Sequence, residues 1–235
     1  MIKKPVKYAP KSMENYLMKR MLAEKANGYL KKGTFTDELI WGKYSYLFSN
    51  QNKTKNKSFK AGLFLFGMVR KDAKLFLKTN PKIKLPKKHN QIEYSEYNNV
   101  DEKITGTDLN HAYWRIAYNL KIISPNTYNR GLNNDYKSIR LAALSTLGAD
   151  KKYKIIKNGE LTDDYKIIKG ILDLQMVYKL IRYTCYLYMN KVKKILGNDF
   201  IAYKTDAVYY RDTKDNRKKV RDFLKEKDLF MKQLE

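Results

Sequence analysis

The chain has almost nothing with which to build a disulfide or a soft-metal centre. A single cysteine, Cys185, stands among 235 residues, which rules out an internal disulfide or a thiolate metal site and predicts a reducing compartment. Two histidines, His89 and His111, are too few for a multi-histidine zinc centre. Long apolar runs are missing too. The longest, Leu63-Phe64-Leu65-Phe66-Gly67-Met68-Val69, is far short of a bilayer span. Met1-Ile2-Lys3-Lys4-Pro5 is basic but lacks the apolar stretch of a secretory signal. The expectation is a soluble cytoplasmic protein. Acids are also scarce, with 24 Asp and Glu against 49 Lys and Arg, for a net charge of +25.

Hydrophobic residues at 43% and aromatics at 13% can bury one substantial core, so the chain is not a disordered basic tail. So basic a chain attracts polyanions. Nucleic acid fits, because each neutralised phosphate releases a counterion and makes binding salt dependent. Charge alone does not separate nucleic acid from an anionic membrane surface, or from a lysine-rich composition with no functional cause.

Periodicity predicts an amphipathic helix over residues 13–31, ended at Gly33, and a second over 64–77. Trp41, Tyr44, Tyr46, Leu47 and Phe48 form an aromatic patch. The basic loop 50–58 is either a nucleic-acid contact or a solvated connection. Two prolines, Pro81 and Pro86, make 82–90 the expected linker. Beyond it, 91–94 and 102–109 alternate as strands, and helices are expected over 112–120 and 136–147, the latter stopped by Gly148. A long helix is expected from Asp163 to Leu196. Its tyrosines Tyr178, Tyr183, Tyr186 and Tyr188 read as packing under a sheet, with a base-stacking platform as the other possibility. A hairpin of 200–203 and 207–210 turns around Lys204-Thr205-Asp206, and a charged helix runs from Asn216 to the end. The class is α+β: a basic, mostly helical N-terminal region (1–90) before an α+β domain (91–235).

Two acids stand out. Asp108 closes a predicted strand and Asp206 sits in the hairpin turn. Carboxylates held on a rigid sheet suit Mg²⁺, which keeps several waters and completes its shell with substrate phosphates, and two such ions about 4 Å apart can serve phosphoryl chemistry.

Asp108-Leu109-Asn110-His111-Ala112-Tyr113-Trp114 resembles motif A of the family B DNA polymerases, D-x-x-S-L-Y-P. The stretch Tyr118-Asn119-Leu120-Lys121-Ile122-Ile123-Ser124-Pro125-Asn126-Thr127 is similar to the YNISPET segment that follows it. Arg140 to Gly148 resembles motif B, K-x-x-x-N-S-x-Y-G, and Tyr203-Lys204-Thr205-Asp206-Ala207-Val208 resembles motif C, Y-x-D-T-D-S-V. The three follow in the family's order over roughly 91–210. The resemblance implies a polymerase-like palm, a small antiparallel sheet with packed helices, carrying a short fingers-like helical insertion (124–148). It implies Asp108 and Asp206 as catalytic and metal-binding carboxylates for Mg²⁺ (or Mn²⁺). His111, Ala112 and Tyr113 would cradle phosphates at a helix N-terminus, with Tyr113 under the sugar. Arg140, in place of the motif's lysine, and Lys137 one turn earlier would face the triphosphate, with Ser145 on the same helix. Thr205 would support the hairpin. Lys204 replaces the first motif C aspartate, as a cation beside the metal site or a primer-phosphate contact. Trp114 replaces proline, Leu144 asparagine and Leu147 tyrosine.

The bland alternatives are core aromatics for Tyr113 and Tyr118, a surface ion pair for Arg140, and a structural His111. Arg211-Asp212-Thr213-Lys214-Asp215 repeats an acidic pattern beyond the hairpin and is set aside. Lys3, Lys4, Lys53, Lys55 and Lys57 are the expected nucleic-acid contacts of the N-terminal region. The implied activity is extension of a DNA 3′ end with deoxynucleoside triphosphates by a minimal, exonuclease-less enzyme of phage kind, acting in the host cytoplasm without a membrane partner. Replication proteins are candidate partners for a chain with little thumb. The alternative is a degenerate palm that only binds nucleic acid.

Overall fold

A two-residue turn that only certain residues tolerate shapes each half of this chain. In the computed structural model, which describes residues 4–33, 36–49, 56–96, 103–133 and 137–234, the elements run β1 (Val6–Ala9), α1 (Ser12–Ala23), β2 (Gly28–Lys31), β3 (Thr36–Trp41), β4 (Tyr44–Ser49), α2 (Asn56–Thr79), β5 (Ile92–Tyr94), β6 (Ile104–Leu109) and α3 (Ala112–Asn119). They continue as α4 (Pro125–Gly131), α5 (Lys137–Gly148), β7 (Lys151–Lys157), β8 (Glu160–Ile168), α6 (Leu172–Leu196), β9 (Phe200–Lys204), β10 (Ala207–Arg211), α7 (Lys214–Glu226) and β11 (Met231–Leu234). The α+β class is as expected. Two compact units form, residues 1–64 with 149–170, and residues 65–148 with 171–235. The expected boundary at 90/91 falls inside the second unit.

The first unit is a six-stranded sheet in the order β1-β4-β3-β2-β7-β8, antiparallel except where β1 pairs with β4. Trp41 pairs with Tyr44 around Gly42, whose φ of 55° suits a tight hairpin. Lys157 pairs with Glu160 around Asn158 and Gly159, both at positive φ (51° and 85°), which is the Asn-Gly hairpin signature. Leu17 and Met21 of α1 bury against Leu30, Leu39, Phe48 and Ile156. Each such side chain contributes roughly 1.5–3 kcal/mol, so α1 is held by this stripe.

The second unit is a five-stranded sheet, β11-β6-β10-β9-β5, with every pairing antiparallel. The helix α6 packs against β9, β10, α3, α5 and α7. Val177, Ile181, Cys185 and Met189 of α6 join Phe200, Tyr203, Val208 and Tyr210 in its core. Thr107 and Tyr210 share a buried hydroxyl–hydroxyl hydrogen bond of 2.8 Å.

Four expectations are corrected. The N-terminal helix expected over 13–31 stops at Ala23 and Gly28–Lys31 is β2, and among the described residues four strands stand beside α1 and α2 in that region, because Tyr, Trp, Ile, Leu and Phe alternate in β2–β4 and pair across a sheet. The long helix begins at Leu172 rather than Asp163, since Thr162, Tyr165, Ile167 and Ile168 belong to β8. The C-terminal helix stops at Glu226, and the chain returns as β11 to pair with β6. Helix α2 starts at Asn56, so 56–58 are helical, while 50–55 lie outside the described residues. Among the described residues no helix is long and apolar enough to cross a membrane.

Candidate active site

Strand β6 forms from the β-branched Ile104, Thr105 and Thr107 and delivers Asp108 to its C-terminal end. Asp206 occupies the turn between β9 and β10. Asp108 pairs directly with Ala207, and the Leu109 N–H donates to the Asp206 carbonyl at 3.1 Å, so the turn that carries Asp206 abuts the strand end that carries Asp108. Both are half-buried. Burial, and next the charge of Asp108, pushes the Asp206 carboxyl up to about 6. Two carboxylates this close resist carrying two charges without a cation between them.

The turn itself is pinned. Thr205 has a φ of 60°, a costly conformation for a β-branched residue. Its N–H donates to the Gln91 carbonyl at 2.7 Å, and Gln91 Nε2 donates to its hydroxyl at 3.1 Å. From below, the Cys185 thiol lies 3.6 Å from the Thr205 carbonyl. Burial pushes that thiol far above its usual range, which leaves it a packing group.

Tyr113 lies one residue into α3. Burial drives its hydroxyl pKa far up, and Asp206 is among the charges that act on it. Its hydroxyl donates to Tyr186 at 3.2 Å, and Arg182 donates to the same oxygen through Nε (3.2 Å) and Nη2 (3.1 Å). An arginine on α6 thus fixes a phenol on α3 close to the acid pair, a connection the spacing of the sequence did not suggest.

Other expected residues fall as follows. His111 caps α3 in the left-handed region (φ 57°) and is exposed, and Ala112 behind it is buried. Arg140 is 3% exposed. Its Nη1 donates to the Gly131 and Asn133 carbonyls and its Nη2 to His111 Nδ1 at 3.0 Å. The guanidinium therefore faces inward and ties α5 to the start of α3, and burial lowers its pKa. Ser145 is exposed and donates to the Ala142 carbonyl. Lys204 is exposed at the end of β9. Lys4 donates to the Gly42 carbonyl in the first unit. Lys137 opens α5 and Lys57 lies in the first turn of α2, whereas Lys3, Lys53 and Lys55 lie outside the described residues.

Three sites escaped the sequence reading. Lys232 of β11 pairs with Asp108 on the side opposite Ala207, which sets a cation beside the acid; a helix was expected there. Asp72 of α2 accepts from the Ser124 N–H (2.8 Å), the Ser124 hydroxyl (2.8 Å) and the Thr127 hydroxyl (2.6 Å), and so anchors the N-cap of α4. Thr213, in the stretch that was set aside, is the N-cap of α7, and Asp212 pairs with Arg217 at 2.7 Å. Among the described residues no three His, Cys, Asp or Glu side chains cluster as a closed metal site. Compared with known protein families, characterised proteins and solved structures, the chain shows no significant match.

Proposed function

We propose that the chain is a minimal, metal-dependent nucleotidyltransferase of the family B DNA polymerase kind, which adds deoxynucleotides to a DNA 3′ end. The observation that carries this is the pairing of Asp108 with Ala207 beside Asp206 at one end of a small antiparallel sheet. The order of the three motif-like segments supports it. Two adjacent oxygen donors, one pushed up to about 6 by burial and next by the other, fit a hard divalent cation that keeps open positions for water and phosphate. Mg²⁺ (or Mn²⁺) bound there would supply activation of the attacking 3′-hydroxyl and stabilisation of charge on the leaving pyrophosphate. Asp108 and Asp206 hold the cation as carboxylates. The backbone at the start of α3 takes phosphate oxygens, and Tyr113, held by Tyr186, supports the nucleotide. Lys232 and Lys204 offset the charge of the incoming phosphates. Arg140 acts through His111, as a positioning residue rather than a phosphate ligand.

A second reading, a palm that only binds nucleic acid, is favoured by the exposed Lys204 beside the acids and the inward-facing Arg140. Mn²⁺ titration followed by electron paramagnetic resonance separates the two. The first reading expects Mn²⁺ binding that strengthens from pH 5 to pH 7 as Asp206 loses its proton, and that weakens at least about tenfold in Asp108→Asn and in Asp206→Asn. Equal binding by all three proteins would leave the nucleotidyltransferase reading without its metal site.

A further inference from the structure

The face of the first unit's sheet opposite its core carries a groove of about 520 Å³. Its floor is one cross-strand row, because Tyr29 of β2 pairs with Ile40 of β3 on one side and with Ile155 of β7 on the other. Lys4, Asn27, Lys157 and Asn158 line its ends, and among the described residues no acid lines it. Lys166 of β8 stands over Tyr29, its Nζ 4.5 Å from the ring centroid and 3.2 Å from the hydroxyl. The unit holding this groove has twenty Lys and Arg against eight Asp and Glu.

We infer that this groove binds a segment of single-stranded DNA, with an unpaired base against Tyr29, Ile40 and Ile155 and the flanking phosphates at Lys4, Lys157 and Lys166. An aromatic and aliphatic floor ringed by cations is the pattern that single-strand sites use: stacking is indifferent to sequence and the cations follow the backbone. Lys157 is engaged only loosely. Lys157 and its partner Asp164 are 3.3 Å apart with both side chains mostly exposed, a pair worth little in water. Lys4 is bonded to the Gly42 carbonyl, and Lys166 to Tyr29. The Lys166 ammonium sits on a flexible stem that can swing outward to a phosphate while a base takes its place on the Tyr29 ring. A duplex cannot present an unpaired base to this floor. The inference rests on the proposed function for its choice of DNA, but it does not require catalysis.

Fluorescence anisotropy of a labelled twelve-nucleotide oligothymidylate, titrated with the full chain over a range of salt, tests it. Lys157→Glu with Lys166→Glu is expected to weaken binding at least about tenfold and to lower the salt slope by about 1.4, which is two phosphate contacts at roughly 0.7 each. The control, Lys218→Glu with Lys225→Glu on α7, is expected to change affinity less than about threefold. Tyr29→Leu is expected to weaken binding about tenfold, with Tyr29→Phe close to wild type, because stacking needs the ring and not the hydroxyl. Equal losses in the groove and control pairs would overturn the inference, as would a duplex that competes as well as single strand. The exposed lysine pair decides the matter even if Tyr29→Leu does not fold. Mn²⁺ titration reads the acid pair and oligothymidylate anisotropy reads the groove, so failure of the groove and failure of the proposed catalysis give different results.

Discussion

Asp206 sits in a two-residue turn directly beside Asp108, joined to its strand by the Leu109 N–H at 3.1 Å. Burial of this turn, and next the charge of Asp108, has a thermodynamic signature. A carboxyl moved from 3.8 to about 6 binds its proton more tightly in the folded than in the unfolded chain. Between those two values the folded state therefore holds more protons, and stability falls as pH rises from about 4 to about 6. Solvent screening at this half-buried turn reduces the effect to on the order of 1–2 kcal/mol. Urea unfolding of metal-free protein should thus find Asp206→Asn more stable than wild type by about that amount at pH 7.5, and the gain should vanish near pH 4. A variant that is less stable than wild type at pH 7.5 would contradict this electrostatic account.

Arg140 is expected to behave as a structural residue. Removing a buried guanidinium takes a donor from the buried Gly131 carbonyl and from the His111 ring, so Arg140→Ala should cost roughly 1–3 kcal/mol. Arg140→Lys should recover only part of this, because an ammonium cannot reach two carbonyls and the His111 ring in one plane. Thermal unfolding checks both. Unchanged stability with a selective rise in KM for nucleotide would place the guanidinium on the triphosphate instead.

Asp72 gathers three donors from Ser124 and Thr127 at the start of α4. Asp72→Ala should destabilise by roughly 2–4 kcal/mol, and Asp72→Asn, which keeps a carbonyl acceptor, by about half that. Ser124→Ala should cost about 1 kcal/mol as an ordinary cap loss. Comparable midpoints for all three variants in denaturant would show that Asp72 is not the anchor.

The acid pair was legible in the sequence because each acid is placed by local rules: Asp108 by a β-branched run, Asp206 by a turn between two β-rich runs. The helix stop at Gly148 was legible for the same reason. The rest was hidden by sequence distance. Nothing local marks 151–168 as partner of 28–41, although Asn158-Gly159 announces the hairpin that carries them there. Lys232 faces Asp108 only because the chain turns back after α7, and the Arg182–Tyr186–Tyr113 relay joins residues 73 apart at its last step. Arg140 was hard to read for a different reason. A motif position specifies a residue type and a helix face, but whether that face looks into a site or a core depends on the neighbouring turn, here Gly131 to Asn133.

The most direct test of the central claim is extension of a labelled DNA primer–template with four deoxynucleoside triphosphates and Mg²⁺ or Mn²⁺, beside Asp108→Ala and Asp206→Ala. The account predicts metal-dependent extension by the wild type and a loss of at least about a thousandfold, some 4 kcal/mol of transition-state stabilisation, in each variant, with both variants still folded. Extension that survives either substitution, or none by a wild type that binds the DNA, would contradict it.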